Sequence, residues 1–325
     1  MYELNDWMDA ELTATRDFGP DIRMFEIAPA GGALPYEPGS HINLAIDIAG
    51  HRDIRSYSLV GLPRRDAYRI AVRRVQPSRG GSAWLHDLLP GARLKITSPR
   101  NHFPLQFGAS HYLLVAGGIG ITPLLGMAQT LARRGLEFRL LYAVRRRQDA
   151  AFADELRETL GDRVSLFVSE DGNRIDLLRE LSVHPADGDI YVCGPGRLLQ
   201  ALRDAMAVLQ RPSANLRFET FGNGGLHPNE SFWVRVPRLG VEIAVPAGQT
   251  MLDALDAAGV ELMSECRRGE CGLCAVDVVA VEGLIDHRDV FLSDHQKHEN
   301  SRICACVSRA VQGGVVIDTS WRADQ

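Results

Sequence analysis

Three closely spaced cysteines constrain this chain more than anything else in it. Cys266-Arg-Arg-Gly-Glu-Cys271-Gly-Leu-Cys274 is a C-x4-C-x2-C run. That is the plant-type [2Fe-2S] spacing, which a distant fourth cysteine completes. The reason is geometric: a tight loop must turn several thiolates inward while its backbone N–H groups point at sulfur. Gly269 and Gly272 permit the close approach and the positive φ this needs. Two other readings use the same residues. Structural zinc usually takes pairs of C-x2–4-C knuckles, and a disulfide framework needs an oxidising compartment. Two cysteines compete for the fourth position, Cys304 and Cys306, in Ile303-Cys-Ala-Cys-Val-Ser-Arg309. Spacing does not choose between them; in an extended stretch they would share one face.

The rest of the chain sets the context for that loop. Its 325 residues suggest two or three domains. The net charge of -5 excludes a nucleic-acid binder built on phosphate contacts. The negative charge is concentrated beyond Glu230, while the preceding body is close to neutral. The first ten residues carry Glu3, Asp6 and Asp9 and no basic residue, unlike a signal peptide. A cytoplasmic location, with reduced or metal-bound thiols, is therefore expected. Residues 112–132 hold no charge and are long enough to span a bilayer. The glycines 117, 118 and 120 and Pro123 inside them instead predict a strand, a turn and a helix start.

Three regions follow from pattern. Residues 1–104 read as short strands (41–48, 55–60, 68–75, 93–97) with one helix at 82–89, an antiparallel β-barrel. In residues 105–222, strands at 111–116, 137–144, 163–168 and 189–193 alternate with helices at 123–134, 150–160, 175–181 and 197–210. That alternation predicts a parallel α/β sheet. A glycine-rich linker is expected at 223–231. Residues 232–325 then form an acidic module with a hairpin (232–245), a helix (250–258) and the cysteine loop.

Two strand-end turns suggest a dinucleotide site. Gly117-Gly-Ile-Gly-Ile-Thr-Pro123 follows the first α/β strand, and Cys193-Gly-Pro195 follows a later one. Glycines between a strand end and a helix start bring backbone N–H groups to a pyrophosphate, with Pro123 expected at the first helical position. The bland alternative for each is a tight turn, and for Cys193 a plain buried thiol. In the barrel region, Arg55-Ser-Tyr-Ser58 offers a phosphate-binding guanidinium and a ring for stacking. Gly80-Gly-Ser82 opens the predicted helix. No nucleophile–base constellation stands out among the ten histidines.

Taken together, these motifs resemble the phthalate dioxygenase reductase family, flavin and iron–sulfur reductases that feed Rieske oxygenases. The likeness spans essentially the whole chain, in the family's order. It includes Phe218-Glu-Thr-Phe-Gly222, Asp286-His-Arg-Asp289 and Cys306-Val-Ser-Arg-Ala310. The resemblance implies a flavin barrel, an α/β nicotinamide domain and an α+β β-grasp ferredoxin domain. It implies FMN against Arg55, Ser56, Tyr57, Ser58, Val72, Arg73, Gly80, Gly81 and Ser82. It implies NADH against Gly117, Gly118, Gly120, Thr122, Pro123, Cys193, Gly194 and Pro195. For the [2Fe-2S] cluster it implies Cys266, Cys271, Cys274 and, by the C-V-S-R-A context, Cys306. The run Arg145-Arg-Arg147 keeps NADPH open, since arginines there can read a 2′-phosphate. The implied partner is the oxygenase component of a multi-component monooxygenase or dioxygenase, with no nucleic acid or membrane and a monomer as the default. A cytochrome P450 or demethylating monooxygenase as acceptor, and a cluster-bearing redox sensor without turnover, are the alternatives.

Overall fold

The computed structural model describes residues 7–48, 51–75, 80–221 and 227–319. The chain divides between Glu219 and Thr220 into two compact units.

The first unit begins with β1 (Trp7–Phe18), β2 (Ile22–Pro29), β3 (Ser40–Ile48), β4 (His51–Ser58), β5 (Tyr68–Arg73), helix α1 (Gly81–His86), β6 (Arg93–Thr97) and β7 (Arg100–Asn101). These strands form an antiparallel sheet in the order β4-β3-β6-β1-β2-β5, with β7 on β3. Alternation drives the curl: Ala10 and Leu12 of β1 are buried while Asp9 and Glu11 face water. A register shift between Leu12 and Ala14 bends β1 over the core. The two ends of the sheet meet where Leu59 bridges Ile70 and the Val60 N–H donates to Arg69 O at 2.9 Å. The expected barrel is present, with β1 and β2 added.

The same unit continues with β8 (His111–Gly117), α2 (Ile121–Arg133), β9 (Glu137–Val144), α3 (Ala153–Leu160), β10 (Val164–Val168), α4 (Leu177–Ser182), β11 (Asp189–Cys193), α5 (Gly196–Val208) and β12 (Leu216–Glu219). The sheet is wholly parallel, in the order β10-β9-β8-β11-β12. Helices cover both faces, so Leu113 to Ala116 are buried without alternation. Residues 112–132 are β8, a turn and α2; among the described residues no helix is long and apolar enough to cross a membrane.

Local chemistry moves some expected boundaries. A 3-10 turn at Gly118–Gly120 starts the spiral early, so α2 begins at Ile121 and Pro123 is its third residue, not its first. The missing proline N–H is still harmless, because first-turn donors have no intrahelical acceptor. Phe152 sits at φ 63, a left-handed conformation that delays α3 from the expected 150 to Ala153.

The second unit holds β13 (Phe232–Val236), β14 (Val241–Val245), α6 (Met251–Ala257), β15 (Ala275–Asp286), α7 (Asp294–Glu299), β16 (Arg302–Cys304) and β17 (Arg309–Asp318). Its mixed sheet runs β14-β13-β17-β15-β16, with β13 and β17 parallel. The expected hairpin is β13–β14. Thr250 caps α6 by accepting the Asp253 N–H at 3.1 Å, and Met251, Leu252 and Leu255 pack into the core with Val234, Val315 and Ile317. The fold matches the α+β arrangement expected for a ferredoxin module. Residues 223–226 of the expected linker lie outside the described residues, as does Gly222.

Candidate redox-cofactor sites

The parallel sheet builds the first site. Its order reverses between β8 and β11, and open α/β sheets bind ligands at the strand ends beside such a reversal. The two glycine turns sit there together. A Cβ added at Gly117 would meet Pro195 Cδ at 2.8 Å and Gly194 Cα at 3.3 Å; one added at Gly120 would lie 2.1 Å from Cys193 O. Gly117, Gly120 and Gly194 are therefore used up in packing one turn on the other. Gly118 is different: it takes φ +56 and has only Arg73 Nη1 near it, at 4.0 Å. Thr122 is buried and donates to Ile119 O at 3.0 Å, and Pro123 is buried in α2.

Cys193 is fully buried and stands in register with Glu219 on β12. The Glu219 carboxylate, also buried, accepts the Ser58 hydroxyl at 3.1 Å. Cys193, Glu219 and Ser58 thus come from α/β and barrel segments to one place. Glu219 was not singled out in the sequence, although it lies inside the quoted Phe218-Glu-Thr stretch. Of the arginine run, Arg146 is held by Asp149 at 2.8 Å and Asp21 at 3.0 Å, and Arg147 by Asp171 at 2.7 Å.

The barrel builds the second site. Period-2 alternation places Arg55 and Tyr57 on one face of β4, Ser56 and Ser58 on the other. Ser56 donates to the buried Asn43 Oδ1 at 2.6 Å, and Tyr57 packs half-buried on the barrel core. The Arg55 side chain lies along Gly81, where an added Cβ would meet Arg55 Nε at 3.1 Å and Arg55 Cγ at 3.3 Å. Gly80 takes φ 92 just before α1, and the Ser82 hydroxyl accepts the Val75 N–H at 3.2 Å. Val72 is buried in the barrel and offers its carbonyl to the His86 ring at 3.0 Å. A guanidinium beside a glycine that leaves it room, next to first-turn N–H groups, fits a flavin phosphate.

The third site is the thiol loop. Arg268, Glu270 and Cys271 each aim a backbone N–H at Cys266 Sγ, at 3.4 Å. Gly269 takes φ 75, and a Cβ there would press on Asp289 Cα at 2.8 Å. The side chains meet in two groups: Cys266 with Cys271, and Cys274 with Cys304 and Cys306. Burial raises Cys266 against its three N–H donors. Hydrogen bonds from Cys304 and then Cys306 pull Cys274 down to about 3. The same bonds, with burial, push Cys304 and Cys306 up. Cys306 also receives the Gly269 N–H, which links it to the loop itself. Among the described residues, no three His, Cys, Asp or Glu side chains converge as ligands of one ion. Paired thiols suit a binuclear cluster with four cysteine ligands. The stretch around Cys304 is not extended, because Cys304 ends β16 and its carbonyl takes the Val307 and Ser308 N–H groups at 3.3 and 3.0 Å.

Asp286-His-Arg-Asp289 braces that loop. Val290 N–H donates to Gly269 O at 2.9 Å, and Asp289 accepts the Leu292 N–H at 2.9 Å and Ser308 Oγ at 3.1 Å. Burial alone would raise the Asp289 carboxyl; the His287 ring, the Leu292 N–H and the Lys297 charge outweigh it and lower it. Arg288 is buried against Asp286 at 2.7 Å and reaches His227 O at 3.1 Å. In the same unit Glu270 accepts the Thr220 N–H at 2.9 Å.

The 2Fe-2S iron-sulfur cluster binding domain family matches residues 234–311, and the oxidoreductase NAD-binding domain family matches residues 114–204. The phthalate dioxygenase reductase of Burkholderia cepacia is 37% identical over 92% of this chain and 93% of its own length. The heme-dependent oxidative N-demethylase beta subunit of Ectopseudomonas mendocina (strain ymp) is 37% identical over 96% of this chain and 98% of its own. A solved structure of phthalate dioxygenase reductase, described as a modular structure for electron transfer from pyridine nucleotides to [2Fe-2S], superimposes with a TM-score of 0.78. It is 33% identical and covers 96% of this chain and 98% of its own.

Proposed function

Because this chain belongs to the phthalate dioxygenase reductase family, we propose that it is the reductase component of an oxygenase system, taking electrons from NADH and delivering them to a separate oxygenase. It is an NADH-dependent oxidoreductase using FMN and a [2Fe-2S] cluster. When bound, the flavin supplies two-electron acceptance from NADH and one-electron release, and the cluster supplies single-electron delivery to the acceptor.

The protein's own part is placement. In the proposed division, residues 1–104 bind FMN, 105–222 bind NADH, 223–231 link, and 232–325 carry the cluster. Arg55, with the backbone of Gly80, Gly81 and Ser82, holds the flavin phosphate. Tyr57, Ser56, Ser58, Val72 and Arg73 border its ring. The turns at Gly117, Gly118, Gly120, Thr122 and Pro123 and at Cys193, Gly194 and Pro195 seat NADH at the sheet's reversal. Glu219 fixes the direction of the Ser58 hydroxyl by accepting its proton in a hydrogen bond. Cys266, Cys271, Cys274 and Cys306 hold the cluster, and contact of Cys306 with the Gly269 N–H supports it over Cys304. Pairing of Arg146 and Arg147 with carboxylates supports NADH over NADPH. A cytoplasmic monomer is the working assembly.

One observation carries this reading: cluster-type paired thiols occur on the same chain as a reversal-point glycine crevice. The test is the visible spectrum of the oxidised protein followed by anaerobic NADH titration. Flavin and cluster bands that bleach together are expected; a flavin-free protein, or bands that NADH leaves unchanged, would refute it. We expect a Rieske-type acceptor. A heme acceptor is the second reading, favoured by the N-demethylase relative. NADH-driven reduction of each acceptor class in turn separates the two.

A further inference from the structure

The strand proposed to border the flavin ends in a side chain that leaves the barrel. Val72 of β5 is buried in the barrel core. Arg73, next along the strand, projects from the opposite face. Its guanidinium reaches the glycine turn of the α/β region, where Nη1 lies 4.0 Å from the Cβ position of Gly118. Gly118 is the member of that turn whose surroundings are otherwise open, and a glycine without Cβ permits close approach of a ligand to the backbone. On its other side Arg73 Nη2 stands 3.7 Å from Asp149 Oδ2. That is a charge contact, too long for a hydrogen bond. Among the described residues it is the one ion contact of Arg73, so its five N–H donors stay available.

Asp149 is itself fixed. It is 3% exposed, and Arg146 grips both its oxygens, at 2.8 and 3.1 Å, while also reaching Asp21 at 3.0 Å. A buried, doubly bonded carboxylate is a rigid anchor, and it aims Arg73 at the turn without saturating it.

We propose that the Arg73 guanidinium binds the pyrophosphate of NADH at the Gly118 turn and that Asp149 is the residue that positions it. A planar, permanently charged fork suits a phosphate oxygen pair better than a flexible ammonium does. The barrel strand then serves both cofactors: its backbone borders the flavin and its last side chain holds the electron donor. This rests on the reading that NADH occupies the glycine crevice.

The test uses the full-length holoprotein. Arg73→Gln raises the KM for NADH and the Kd of ADP-ribose, which carries the pyrophosphate but no nicotinamide, by about tenfold to a hundredfold. The loss falls on KM more than on kcat. Arg73→Lys recovers part of it, and Asp149→Asn raises both constants by a smaller factor. The urea midpoint of Arg73→Gln stays at the wild-type value, and both constants are measured on flavin-replete protein. Unchanged NADH KM and ADP-ribose affinity overturn the proposal. So does flavin loss with an unaltered KM in the molecules that retain flavin, since Arg73 would then serve the flavin alone. The two readings fail separately: a wild-type protein that NADH cannot reduce removes the functional reading, whereas the ratio of variant to wild type decides the role of Arg73.

Discussion

Replacing Gly120 with alanine tests the packing of the two glycine turns. Gly120 has φ -62, so alanine meets no backbone strain there. Its new Cβ, however, would lie 2.1 Å from Cys193 O, 2.5 Å from Cys193 C and 2.8 Å from Gly194 N. All three are backbone atoms and cannot rotate aside. Normal contact lies near 3.5 Å, so the turns must part by about 1 Å. Overpacking of this kind costs about 1–3 kcal/mol. Stiffening of the unfolded chain returns roughly 0.4–1 kcal/mol. A net loss of about 1–2 kcal/mol corresponds to a melting point lower by about 2–8 °C for a unit of this size. On the proposed division, flavin release would report on the unit Tyr2–Glu219 and loss of cluster absorbance on Thr220–Gln325. Only the first transition should move, and the KM for NADH should rise. Gly118 supplies the control: its cost is conformational, so asparagine, which tolerates positive φ, should be accepted at 118 and rejected at 120. A Gly120→Ala protein within about 0.5 kcal/mol of wild type, or equal tolerance of asparagine at both positions, would refute the backbone contact.

Three further outcomes are expected. Cys306→Ser should lose iron and acid-labile sulfide while Cys304→Ser keeps both; the reverse in metal analysis would transfer the fourth ligand to Cys304. Arg55→Ala should purify with less flavin, and full occupancy would remove Arg55 from the phosphate site. His184 is buried, and burial, with the Arg211 charge, lowers it from 6.5 to about 4. Its folded value lies below its unfolded one, so its contribution is complete above pH 6.5 and is lost as pH falls toward 4. That amounts to about 3 kcal/mol over the window. His184→Gln should flatten this step in pH-dependent urea melts, and an unchanged slope would assign the titration elsewhere.

Much of this architecture is legible in the chain because its signals are local. The cysteine spacing, the strand-end glycines and the β/α alternation each lie within one short segment. What escaped depends on contacts between distant segments. Glu219 matters because it is in register with Cys193 and bonded to Ser58, neither of which its neighbours in sequence reveal. β12 has four residues, too few for alternation to show. Asp149 carries no signal in its own segment; its role depends on Arg73 and Arg146, which close on it in the fold. Glycines at a strand end point to ligand approach, yet Gly117 and Gly120 are occupied by the neighbouring turn. The Cys304 and Cys306 alternatives stayed open because the chain turns between them, which no spacing rule foresees.

The interlocked turns bear on recombination. Residues 117–120 and 193–195 touch backbone to backbone, so as parts they are inseparable. A chimera that imports one turn from a relative and keeps the other inherits two surfaces shaped for different companions. Crossovers placed before β8 and after the start of α5 would carry both halves of the lock. Shuffled libraries cut between them should be depleted of NADH-reducible clones.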